Sequence, residues 1–253
     1  MGIVRSVVFG AGAPAHRLRQ YNGPVRDACL LLFTKPARPG RVKTRLIGDP
    51  GEGAGGLTPE QAAELHQAFL DDVTQALTHG RFDLTLAWAV EEGMTAPESE
   101  HETVRQSGAD LGERLFAALS GAARKYGLVG AVGSDHPELS LEEIERGFSL
   151  LRGGVDLVLG PATDGGYYFV GVRAESLRRE LFSGIEWSTP EVLETTLERC
   201  RELALSWMLL REGSDIDTPE DLERLSRRLA SSTDPLAVAC PRTAALLRQW
   251  RPA

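Results

Sequence analysis

The sequence predicts an α/β fold, with a mainly parallel sheet covered by helices on both faces. Three observations carry this expectation. From residue 28 onward, apolar runs of strand length alternate with amphipathic stretches that open on helix-capping residues. Several of the runs are continuous, as strands buried on both faces are. Polar or glycine-bearing segments come after them, at the strand ends where sheets of this kind bind ligands.

Each element has its own justification. "ACLLLFTK" from residue 28 is a buried strand ending at a basic segment. In "LTPEQAAELHQAFLDDVTQAL", Thr58 caps a helix, Pro59 takes the first helical position and Gln61 completes a capping box. "FDLTLAWAV" alternates and is rich in strand formers. Residues 91–109 are polar, with Gly, Pro and Ser, and are expected to be a loop. "DLGERLFAALSGAARKYG" reads as a helix closed by Gly127, and "LVGAVGSD" as the next buried strand. After it comes a helix capped by Ser140, with Glu143 three residues on. "DLVLGPATDGGYYFVGV" is expected to be two strands joined by a glycine turn. "TPEVLETTLERCREL" is a helix, "ALSWMLLRE" a strand, and "TPEDLERLSRRLA" a helix capped by Thr218 with Pro219 behind it. The alternation defines one domain over 28–230. Residues 1–27 read as an extension, and 231–253 as a tail carrying a short packing helix.

Composition narrows the function. With 253 residues, a net charge of −8, 42% hydrophobic and 25% charged residues, the chain reads as an ordinary soluble protein. The acidic balance argues against general nucleic-acid binding. No apolar run reaches the roughly 18 residues of a membrane span. The first apolar stretch contains Arg5 and has no clean hydrophobic core, so no signal peptide is expected. Cys29, Cys200 and Cys240 are odd in number, far apart and outside any CxxC pair, which suits reduced thiols in a cytoplasmic protein.

Against that background one stretch stands out. "FTKPARPGRVKTRL" places Lys35, Arg38, Arg41, Lys43 and Arg45 on a turn fixed by Pro36, Pro39 and Gly40. A solvated charge run is one reading. The fixed backbone and the position after a buried strand favour another, a site for phosphate oxygens. It is not a P-loop, because Val42 stands where the glycine before the lysine belongs. Gly10, Gly12 and Ala15 spell GxGxxA, but the segment after them is too short and proline-broken for a dinucleotide fingerprint.

Carboxylates supply the opposite charge. Asp135, in "GSDHPEL", is either a turn cap or an oxygen ligand for Mg²⁺ or Mn²⁺ beside phosphate. Asp215 and Asp217, in "SDIDTPEDL", offer a second carboxylate or simply start the next helix. His136 lacks a partner at metal spacing and reads as a bystander. Asp164 either acts as general base, accepts from sugar hydroxyls, or stabilises its turn. Gly165 and Gly166 allow positive φ or a close approach to ligand. Trp187 and Ser188 precede a helix, where Trp187 is a lid, a stacking platform or a core residue.

Taken in order, "KPxxxGxVKTRL", "DLGERL", "GSDxPEL", "LGPxxDGGYYxxGV", "WSTPEVLExTL" and "DIDTPEDL" resemble a bacterial family of GT-A-fold proteins. Its members are described as nucleotide-diphospho-sugar transferases or glycosyltransferases of unknown substrate, associated with radical-SAM proteins and selenoproteins. They are more distantly similar to the guanylyltransferases of phospholactate and of the molybdenum cofactor. The resemblance covers roughly residues 28–230. It implies a Rossmann-like GT-A fold that binds a nucleotide and a divalent metal. It places Lys35, Lys43 and Arg45 on phosphates, Asp110 and Arg114 near nucleotide or acceptor, and Asp135 and Asp215 on the metal. The single Asp of "GSD" departs from the DxD of many glycosyltransferases, which implies metal binding that is either weak or dependent on the substrate.

The function expected is a metal-assisted transferase taking a nucleotide or nucleotide sugar, and a glycosyltransferase first. A nucleotidyltransferase that releases pyrophosphate and a non-catalytic nucleotide-binding module are the alternatives.

Overall fold

A computed structural model describes residues 27–48, 56–231 and 234–250. The extension and its GxGxxA stretch therefore lie outside the described residues. Among the described residues, seven strands form one sheet, in the order β3-β2-β1-β4-β6-β5-β7. They are β1 (Ala28–Thr34), β2 (Asp83–Trp88), β3 (Glu102–Arg105), β4 (Leu128–Gly133), β5 (Leu157–Pro161), β6 (Tyr167–Arg173) and β7 (Trp207–Leu209). Only β6 runs against its neighbours, inserted as the return strand of a hairpin between β4 and β5.

Helices cover both faces, because β1 alternates its side chains between two cores. Leu30 and Leu32 meet α1 (Pro59–Leu77) and α3 (Leu141–Arg152) through Leu70, Val73, Ile144 and Phe148. Cys29 and Leu31 meet α2 (Leu111–Ala123) and α4 (Val192–Glu202) through Leu115, Leu119, Leu197 and Cys200. The expected caps are present. Thr58 and Gln61 form a full capping box on α1, Ser140 accepts from the Glu143 amide, and Thr218 caps α5 (Pro219–Ala230).

A third layer lies outside α1. There α5, α6 (Pro235–Ala239) and α7 (Pro241–Trp250) share a core of Leu46, Leu65, Phe69, Leu222, Leu225 and Leu247. The buried Asp72 of α1 accepts from the amides of Arg242 and Thr243, at 3.1 and 2.8 Å, and so caps the start of α7. The Cys240 thiol donates to the Pro137 carbonyl at 2.9 Å.

Three boundaries differ from expectation. The polar segment 91–109 contains strand β3, whose side chains are mostly exposed because it is an edge strand, so no apolar period marks it. Helix α2 stops at Ala123, short of Gly127. The Lys125 and Tyr126 amides both turn back to Ala122, and the Tyr126 hydroxyl donates to Asp83 at 2.7 Å. Helix α4 starts at Val192 rather than Thr189, after Ser188 takes a left-handed φ of 67°. No helix among the described residues is long and apolar enough to cross a membrane.

Candidate functional site

A cavity of about 630 Å³ opens over the carboxyl ends of β1 and β4. The loops after β1, β4 and β7, the β5–β6 turn, the first turn of α2 and the segment before α4 all contribute to it. Of the residues expected at a site, Lys35, Arg41, Lys43, Arg45, Arg114, Asp135, Asp164, Gly166, Trp187, Ser188, Asp215 and Asp217 all line this cavity. Asp110 and Gly165 do not.

The basic loop is anchored by the buried Val42 and Leu46 and turned by Gly40 at φ 71°. Its outer cations are exposed and loosely paired. Arg41 lies 3.9 Å from Glu91, and Arg45 lies 3.9 Å from Asp217. Lys35 stands exposed at the head of the loop. Arg38 turns away, against Met94.

Lys43 behaves differently. Its backbone is left-handed (φ 47°), its side chain is 2% exposed, and its ammonium points at carboxylates rather than at open space. Nζ donates to the Ile216 carbonyl at 2.7 Å and to Asp217 Oδ1 at 3.2 Å, and pairs with Asp135 Oδ1 at 2.9 Å. Burial alone would lower the Lys43 pKa, but Asp135 and Asp217 outweigh it and raise it.

The carboxylates respond to the same arrangement. Burial pushes Asp135 upward, yet Lys43 and His66 override it and hold the group well below the usual carboxylate range. Asp215 has no such cation. Burial, then repulsion from Asp135, Asp217 and Asp164, raise it to about 7, with Lys43 offsetting only part. The two loops that carry these groups are tied together. Ile216 donates its amide to the Asp135 carbonyl, and His136 Nδ1 donates to the Ser214 carbonyl at 2.6 Å. The His136 ring stacks on Tyr168, 4.9 Å between centroids, so it props the loop that holds Asp215.

The facing wall is more apolar. Asp164 Oδ1 accepts from the Gly166 amide at 2.9 Å, bracing its own turn while it lines the cavity. Gly165 has φ 90°, and its carbonyl accepts from Leu193, joining the turn to α4; a Cβ there would lie 2.2 Å from the Pro190 oxygen. Trp187 packs edge-on to Tyr167, 6.2 Å between centroids, and close against Gly112 of α2. Asp110 caps α2 by accepting from the Glu113 amide, and Arg114 donates to the Gly108 carbonyl.

His66, Ser134, Thr34 and Gln106 went unpredicted. Buried His66 places Nε2 2.9 Å from the Lys35 carbonyl and Nδ1 3.4 Å from Asp135, joining the basic loop to the carboxylates. Ser134 donates to Thr34 at 3.0 Å beneath it, and Gln106 donates to the Ala87 carbonyl at the end of β2. His66 had one readable signal: it interrupts the apolar stripe of α1 between Leu65 and Phe69.

The donor set suits a hard divalent cation, since Asp135 and Asp215 both line the cavity with carboxylates and Lys43 offsets only part of the repulsion at Asp215. Among the described residues, no cluster of three or more His, Cys, Asp or Glu side chains is preformed to hold one. A metal here would need further oxygens from a ligand.

Residues 63–189 match the family model described as "Uncharacterized protein conserved in bacteria (DUF2064)". The chain belongs to the DUF2064 family. Among solved structures, a Desulfovibrio desulfuricans G20 protein, named provisionally as a nucleotide-diphospho-sugar transferase, is 32% identical. That match covers 89% of this chain and 98% of that one, with a TM-score of 0.74. The 4-diphosphocytidyl-2C-methyl-D-erythritol synthase of Anaerococcus prevotii DSM 20548 is 12% identical over 81% of this chain and 97% of its own, with a TM-score of 0.50, a likeness of fold alone. No curated protein matches the chain. The architecture of this DUF2064 protein is the Rossmann-like fold of nucleotide-diphospho-sugar transferases, as the sequence motifs implied.

Proposed function

We propose that this DUF2064 protein is a transferase for a nucleotide-activated donor, and specifically a glycosyltransferase that moves a sugar from a nucleoside-diphosphate sugar to an acceptor hydroxyl. One observation carries the proposal. A single strand-end cavity has loosely paired cations on one wall, carboxylates on the next, and a glycine turn with a tryptophan on the third. The name of the Desulfovibrio protein supports the same reading.

Lys35, Arg41 and Arg45 bind the diphosphate through charge-assisted hydrogen bonds. Asp135 and Asp215 would hold Mg²⁺ or Mn²⁺, which supplies neutralisation of the departing diphosphate when bound. Trp187 and the Gly166 turn bound the sugar, and Asp164 accepts the proton of the acceptor hydroxyl. Arg114, at the first turn of α2, lies where nucleotide or acceptor enters.

A second reading has an observation of its own. Asp164 Oδ1 is engaged by its own turn, which suits a reaction that needs no base. A nucleotidyltransferase joining an NTP to a phosphorylated acceptor is such a reaction, because the attacking phosphate is already ionised. Incubation with NDP-sugars and with NTPs, with product detection, separates the two. Nucleoside diphosphate release supports glycosyl transfer, and pyrophosphate release supports nucleotidyl transfer. Release of neither across a broad panel leaves a nucleotide-binding module. Under glycosyl transfer, Asp164→Asn lowers turnover by roughly 10²–10⁴-fold; under nucleotidyl transfer it leaves turnover nearly intact.

A further inference from the structure

Lys43 lines the cavity, yet its ammonium does not face the open space. Its Nζ has three oxygen partners from two other segments, at 2.7, 2.9 and 3.2 Å, and lies 5.4 Å from the centre of the Phe69 ring. The Lys43 side chain is 2% exposed, whereas the Asp135 and Asp217 side chains it bridges are each 45% exposed. The backbone at Lys43 adopts a left-handed conformation that a lysine rarely takes, and this directs the side chain inward.

From this geometry we infer that Lys43 is the internal counter-ion of the carboxylate cluster, and that it keeps free divalent metal out of the cavity, so that metal enters only together with nucleotide phosphates. The inference rests on the transferase reading of the cavity. The cause is electrostatic. A cation bound to Asp135 must come within about 2.0–2.1 Å of a carboxylate oxygen if it is Mg²⁺, and the ammonium already occupies the Oδ1 side. A metal ion on the same carboxylate would lie close to this ammonium, where like charges repel, so a metal ion alone pays for displacing or tolerating Lys43. Phosphate oxygens change the balance in two ways. They offer the ammonium a new anionic partner, and they complete a coordination shell that the protein leaves short. Lys43 thus couples the two ligands: each raises the affinity of the other.

The test measures Mn²⁺ binding by electron paramagnetic resonance, with the metal alone. Lys43→Met keeps the length of the apolar stem and removes the charge. The expected result is that Lys43→Met binds Mn²⁺ at least about ten-fold more tightly than wild type in the absence of nucleotide. The gain disappears in the double variant with Asp135→Ala. Wild type should gain affinity for Mn²⁺ when one of UDP, GDP, CDP or dTDP is added, and Lys43→Met should gain much less. Equal Mn²⁺ affinity of wild type and Lys43→Met overturns the inference, as does a gain that survives loss of Asp135. Should Lys43→Met fail to fold, Lys43→Gln carries the same comparison, since its amide can still donate to the Ile216 carbonyl. The core measurement uses no nucleotide and no turnover. Equal affinities with active enzyme therefore sink only the counter-ion role; the expected gain with no product from any donor sinks only the transferase reading.

Discussion

The cavity has two charged walls, and they are built on opposite terms. On the cationic wall, Lys35, Arg41 and Arg45 are exposed, and the two arginines reach their acidic neighbours only at 3.9 Å. On the carboxylate wall, Asp135 and Asp217 share a buried ammonium, the buried His66 ring lies 3.4 Å from Asp135, and the loops are hydrogen-bonded to each other. Exposed pairs of the first kind contribute little to stability. The first wall is therefore available to a ligand, while the second is part of the architecture as well as of the chemistry.

That contrast can be broken by substitution. The largest effect is expected at Asp135. Asp135→Ala should abolish metal-dependent stabilisation by nucleotide, which for wild type at about a hundred times Kd is roughly 2.7 kcal/mol in a thermal-shift assay. It should also lower the melting temperature of the free protein. A variant that keeps either property would show the carboxylate wall to be dispensable.

Next comes Lys35→Ala combined with Arg41→Ala. Each lost charge-assisted bond is worth about 1.5–3 kcal/mol, so nucleotide affinity should fall by more than about a hundred-fold. The melting temperature of the free protein should stay within about a degree. A double variant that melts much earlier would mean the cationic wall is structural too.

His66→Ala tests the link between the walls. Leaving the Lys35 carbonyl and Asp135 without this partner should cost about 1–3 kcal/mol of stability in a denaturant titration. A neutral result would show that the two walls stand independently.

The last test is a pH dependence. The Asp215 pKa is raised to about 7 in the folded protein, above its usual 3.8, so between these values the folded state binds more protons than the unfolded one. Stability of the metal-free protein should fall as pH rises from about 4 to 7 and level off beyond. Asp215→Asn should flatten that slope in melting curves. Asp135 acts in the opposite sense. Its depressed pKa gives stability that is present above 3.8 and is lost in strong acid.

How much of this was legible in the sequence depends on the range of each interaction. Local chemistry was readable. Thr58 with Gln61, Ser140 with Glu143, and Thr218 with Pro219 act within four residues, and the caps sit where the sequence placed them. So was the convergence of basic loop and carboxylates, because strand ends of one sheet meet at one edge. The direction of Lys43 was not, since Ile216 and Asp217 lie 173 and 174 residues away. Nothing in "RVKTR" distinguishes the inward lysine from its outward neighbours. His66 escaped for a related reason: inside an amphipathic helix it resembles any buried polar residue until its two partners are seen. Strand β3 escaped because an edge strand with solvated side chains has no hydrophobic period.

The helical layer outside α1 has a genetic consequence. The Cys240 thiol holds the Pro137 carbonyl two residues from Asp135, and Arg228 holds Glu138 at 2.6 Å. In a random-mutagenesis screen, loss-of-function alleles would then map to two places. One is the cavity itself; the other is the distant set of Asp72, Arg228 and Cys240, which contacts no substrate. Suppressors of that second class should arise in α5 and α7, where repacking can restore the seat of the 135–138 loop, and not among the cations of the basic loop.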